Sequence, residues 1–151
     1  MGRSKGGLTT KIHAVVDADG RPIKLDLTAG QTNDCKPALD LLADLETGAV
    51  LLANKAYDAK SIRKFAADKK AWANIPPRKN RRGRFVFNIW LYKQRNLVER
   101  FFNKLKNYRG IATRYDRDPK NFLAEIKIIA IRIIIKFNES SGNLWLLPST
   151  G

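Results

Sequence analysis

Residues 9–28 read TTKIHAVVDADGRPIKLDLT, and this stretch decides the fold class. Residues 9–17 are rich in β-branched side chains, which suit a pleated, half-buried surface. Ala18, Asp19 and Gly20 make a tight turn, and Gly20 can take the positive φ that such turns need. Asp17, at its edge, reads as a turn residue. Residues 21–28 alternate polar and apolar, so Ile23, Leu25 and Leu27 share one face. The product is an antiparallel β-hairpin.

Upstream, residues 1–7 are rich in glycine and basic residues, and a flexible lead-in is expected. Downstream, residues 30–34 (GQTND) form a loop, with Asp34 placed to cap a helix and Pro37 inside its first turn. Leu39, Leu42 and Leu45 form that helix's stripe, and Gly48 ends it. Residues 49–53 (AVLLA) are a continuous apolar run, as in a strand buried on both faces. A short helix over 61–70 and a short strand over 73–76 follow. After a basic loop come a long helix over 88–107 and a last helix over 121–137. The Ile-rich end of the last helix also suits a strand, but Asp118-Pro119 is a helix-start signal. The order β-β-α-β-α-β-α-α predicts a mixed α/β domain over 1–138, with an irregular tail over 139–151.

The chain of 151 residues suits one core, and its 44% apolar content is ordinary. Its charge is not: 29 Lys and Arg against 14 Asp and Glu leave +15. Such an excess points to a polyanion, most often nucleic acid. The lone Cys35 and lone His13 exclude an internal disulfide and any Cys-rich or multi-His metal centre. No secretory leader pattern is seen in residues 1–11. The most apolar segment, 126–135, is short and interrupted by Lys127 and Arg132, so no membrane partner is expected. These readings place the protein in the cytoplasm.

Residues 78–109 hold 11 of the 29 basic residues and a single acid, Glu99. Ordinary surface helices mix signs to form i,i+4 pairs, so a phosphate-binding face is the better reading. Arg78, Arg81 and Arg82 of the loop PPRKNRRGR (76–84) are candidate DNA contacts. On the following helix Tyr92, Arg95, Glu99 and Lys106 fall along one stripe. One carboxylate in line with a hydroxyl and two cations suits phosphoryl chemistry. Spacing alone, however, favours a plain Arg95–Glu99 ion pair.

The pattern Tyr92-x2-Arg95-x3-Glu99-x6-Lys106 matches in full the signature of insertion-sequence transposases of the DDE class. Residues 3–22 (RSKGGLTTKIHAVVDADGRP), 28–34 (TAGQTND), 54–58 (NKAYD), 75–82 (IPPRKNRR) and 95–117 resemble further blocks of that family. The likeness is greatest to the insertion sequence family five group and covers about residues 3–137. It implies an RNase H-like mixed sheet with flanking helices and a DNA partner. It also implies metal-dependent strand cleavage and transfer, with two Asp and one Glu holding two divalent ions, Mg2+ foremost. By this resemblance Glu99 is a catalytic metal ligand, and Tyr92, Arg95 and Lys106 contact DNA.

Two departures from the pattern matter. Asn54 stands where the family has its middle catalytic and metal-binding Asp, and an amide oxygen brings no negative charge to a metal. The family's first Asp lies on a strand ahead of the Arg3 block, and the chain starts at Met1, so the first strand is expected to be missing. The expected function is that of a transposase lacking two of three carboxylates: an inactive copy, or the downstream half of a split frame. A non-catalytic DNA-binding regulator of an intact transposase is the alternative, and a small RNA-binding protein a third reading. An upstream transposase segment or a full-length transposase is the expected protein partner.

Overall fold

The computed structural model describes residues 2–4, 7–113 and 118–142. Strands β2 (Gly7–Val16) and β3 (Pro22–Ala29) form the expected antiparallel hairpin, with Ile12 opposite Leu27 and Ala14 opposite Leu25. Its turn is organised by Asp17, whose Oδ1 accepts from the amides of Asp19 and Arg21, both at 2.9 Å. Gly20 takes φ +81°, as the turn requires. The lead-in differs from expectation: Gly2–Ser4 is a strand, β1, paired antiparallel with the start of β2.

The hairpin is coated on both faces. Ile12, Ala14, Val16, Leu25 and Leu27 pack on a core of Phe101, Leu105, Phe122, Ile126 and Ile133. These come from α4 (Asn96–Lys106) and α6 (Pro119–Gly142). Ile23, at the hairpin's end, stays largely exposed despite sharing the face. On the other side Val15 packs on a second core, built by Ala38, Leu42, Leu51, Ile62, Ala66 and Ile75. That core belongs to α1 (Cys35–Leu41), β4 (Val50–Leu52), α2 (Lys60–Asp68) and β5 (Trp72–Asn74).

Five local expectations are corrected. Asp34 makes no side-chain cap; Lys11 draws it into a 2.8 Å ion pair, and Asn33 instead accepts from the Cys35 amide. Leu39 points outward while Ala38 and Leu42 are buried. The run over 49–53 is not buried on both faces, since Val50 is 45% exposed. The long helix is three pieces end to end: α3 (Ile89–Tyr92), a 3₁₀ turn (Lys93–Arg95) and α4. A short α5 (Arg109–Thr113) follows, and α6 runs to Gly142, past the expected 137. The tail beyond it lies outside the described residues.

The strands fall into two sheets. One has the order β1-β2-β3; the other is β4 parallel to β5, with Val50 opposite Trp72. Among the described residues, β2 beyond Thr9 has no strand on the edge away from β3, and β4 none on the edge away from β5. His13 ties the two layers. It is buried, with Nε2 at 2.7 Å from the Thr28 hydroxyl and Nδ1 at 3.2 Å from the Tyr57 hydroxyl.

Candidate nucleic-acid interface

Asn88 begins the signature helix. Its side-chain oxygen accepts from the amides of Trp90 and Leu91, as a helix cap does. Its own backbone is gripped by the fully buried Asn74, which accepts from the Asn88 amide at 2.8 Å and donates to its carbonyl at 2.9 Å. The helix is thus nailed to the end of β5.

Downstream, the stripe is assembled. Phe87 stacks obliquely on Tyr92, with ring centroids 5.3 Å apart. The Arg95 guanidinium lies 5.3 Å from the centre of the Tyr92 ring and gives a 2.5 Å hydrogen bond to Glu99. Arg95 Nε is buried and unpartnered. Glu99 is half exposed, and Lys106 is exposed in the last turn of α4. Tyr92, Arg95 and Glu99 are therefore brought together, through both the ion pair and an aromatic contact.

The basic loop is held by a residue that spacing did not single out. Asp58 is buried; its Oδ1 accepts from Arg63 Nε at 2.7 Å. Its Oδ2 accepts from Arg81 Nε at 2.6 Å and from the Arg78 amide at 2.7 Å. Burial pushes the Asp58 carboxyl up, but the hydrogen bonds from Arg78, Arg63 and Arg81 outweigh it, and the net shift is downward. Arg63 also donates to the carbonyls of Ala73 and Ile75 and lies 4.4 Å from the Phe85 ring. Arg81 is turned inward to this carboxylate, whereas exposed Arg78 donates at the surface to the carbonyls of Lys55 and Ala56. Arg82 is exposed.

Asn54 sits just past β4, exposed, and its oxygen accepts from the Ala56 amide at 2.8 Å, capping the 3₁₀ turn Lys55–Tyr57. The turn is fixed from behind by Cys35 Sγ, 3.1 Å from the Ala56 carbonyl. Asn54 and Glu99 share no hydrogen bond among the described residues. No group of three or more His, Cys, Asp or Glu able to hold a metal occurs among them either. With the Asn54 oxygen used as a cap and Glu99 paired to Arg95, these side chains do not fit a two-metal centre. No helix among the described residues is long and apolar enough to cross a membrane.

Comparison of the sequence with known proteins gives the family. Residues 2–134 match the model of the transposase DDE domain. A putative transposase for insertion sequence element IS6501 from Brucella ovis is 38% identical over 130 residues, covering 85% of this chain and 100% of the relative. No solved structure matches. The signature stripe, intact from Tyr92 to Glu99, thus lies in a chain that belongs to the DDE transposase domain family of bacterial insertion sequences.

Proposed function

We propose that this chain is the DNA-holding portion of an RNase H-like transposase domain, spanning the expected residues 1–138 and extended by α6 to Gly142, that is incomplete for strand cleavage. The carrying observation is the continuity of two features: a clamped basic loop leads through Asn88 straight into the line Tyr92–Arg95–Glu99. Backbone phosphates are the natural ligand of such a run of cations. Arg82 and Lys106 contact phosphates, Arg95 and Tyr92 position the strand, and Arg78 and Arg81 shape the loop that presents Arg82. Glu99 and Asn54 occupy two of the family's three metal-binding positions, and only Glu99 brings charge.

The open edges of β2 and β4 support an RNase H-like sheet that lacks its central strand. A strand bearing an Asp, supplied from outside residues 1–151, fills that place in an active assembly. Such a strand, together with a charged residue at position 54, completes the ligand set for Mg2+. DNA being the substrate, the protein works in the cytoplasm.

The reading is tested by filter binding of a duplex carrying the element's end across a salt series. At a slope of about 0.9 per phosphate, four contacts weaken binding about a hundredfold between about 50 and 200 mM salt. Arg82→Ala and Lys106→Ala should each lower the slope. Salt-independent binding, or none, would sink the proposal.

A further inference from the structure

A second cluster of cations lies away from the signature stripe. Gly20 at the hairpin turn comes close to α4; a Cβ there would stand 3.4 Å from Leu97 Cδ2. The close approach leaves a cleft of about 60 Å³ between the turn, α4 and the end of α6. Arg21, Arg100 and Lys104 line it, with Asp19 as its sole carboxylate. Counting about 100° per residue around a helix, Arg100 and Lys104 lie roughly 100° and 140° round from Glu99. They face a different part of the surface from the stripe.

The charges here are unbalanced. The Arg21 guanidinium stands 5.5 Å from the centre of the Phe137 ring, and Lys104 Nζ stands 5.7 Å from the same centre. One aromatic ring thus draws two like charges together, and Arg100 adds a third one turn from Lys104. Asp19 reaches Arg21 only at 3.4 Å, with both side chains well exposed, so it offsets little. Arg21 Nε is buried without a hydrogen-bond partner, a donor that burial ordinarily demands be satisfied. The cleft has room for a few waters or one small tetrahedral anion. Converging cations beside an unsatisfied donor make an anion site.

We infer that Arg21, Arg100 and Lys104 form a second phosphate subsite, which takes a backbone phosphate of DNA that also crosses the signature face of α4. This rests on the DNA-holding reading above. It makes the hairpin turn a DNA contact, although that turn carries no residue of the signature.

The test uses the full chain and two probes. Salt-dependent filter binding of a duplex is measured for the native chain, Arg21→Gln and Lys104→Gln. The Arg21 Nε–Hε resonance is followed during titration with inorganic phosphate. Each variant should lower the salt slope by about 0.9, the loss of one phosphate contact. Phosphate should shift the Arg21 resonance in the native chain and not in Lys104→Gln. If Arg21→Gln fails to fold by circular dichroism, Lys104→Gln and Arg100→Gln, both at exposed helix positions, carry the test. Steep native binding with an unchanged slope in the variants and a still resonance overturns the subsite and leaves the DNA reading standing. Absence of duplex binding with a phosphate-shifted resonance overturns DNA as the source and keeps the anion site.

Discussion

Asp58 carries more structural weight than any other single carboxylate described. It is one negative charge, fully buried, facing two guanidinium groups and a backbone amide. Removing one member of such a set leaves the others uncompensated, at a cost of about 3–5 kcal/mol. Asp58→Asn should therefore lower the free energy of unfolding, read from a denaturant titration, by that amount, and it should couple with Arg81→Gln in a double-mutant cycle by about 0.5–3 kcal/mol. Additive effects would show that the pair is not an energetic unit. The pH dependence has a fixed sign. The folded carboxyl titrates below its unfolded value. Its stabilisation is thus complete above about pH 4 and is lost as pH falls through the lowered folded value. Asp58→Asn should flatten that acid limb. Nothing in local spacing reveals this residue, because its partners stand 5, 20 and 23 positions further on. Tyr92, Arg95 and Glu99 were legible because helix periodicity places neighbours three and four apart.

At the scale of elements, the hairpin and the 3₁₀ turn are joined by His13 and Tyr57. Burial lowers the His13 pKa, against the pull of Asp34 and Asp26. Burial likewise pushes the Tyr57 hydroxyl up to about 12, so it stays neutral. A depressed histidine stabilises above its unfolded pKa, about 6.5, and that stability is lost as pH falls through the folded value. The native chain should lose stability from about pH 6.5 downward, and His13→Gln should remove that slope; an unchanged slope would contradict the link. Tyr57→Phe should cost about 1 kcal/mol, the worth of one hydrogen bond. The hairpin itself was readable, since alternation and the Asp19-Gly20 turn are local signals. The Asp34 cap was misread because a distant residue, Lys11, competes for the same carboxylate. The strand after Gly48 was read correctly as a strand but not in its burial: Leu51 enters the core while Val50, on the opposite face, is exposed, and among the described residues β4 has no strand on its edge away from β5. Its consequence is measurable by hydrogen exchange. In β2 beyond Thr9, amides pointing away from β3 should exchange fast, and those of β4 facing away from β5 likewise. Uniformly slow exchange in the monomer would show those edges to be covered.

For the whole molecule, a charge of +15 and the signature stripe together indicated a DNA-handling transposase relative from sequence alone, and the family match bears that out. What sequence did not convey is the division of labour among its cations. Arg63 and Arg81 face inward and exposed Arg78 bonds along the chain to build the loop, while Arg82, Lys106 and the Arg21 cleft face outward. In the proposed function these parts hold DNA without completing the catalytic metal site. Two-metal cleavage requires enough fixed negative charge to hold two divalent ions about 3.5–4 Å apart. The most direct measurement is strand cleavage of a labelled element end with Mg2+ or Mn2+. It compares the native chain, Asn54→Asp, and Asn54→Asp joined to an Asp-bearing strand ahead of Met1. The first two should give no product and the third Glu99-dependent cleavage. Cleavage by the native chain that is lost in Glu99→Gln would contradict the proposed function.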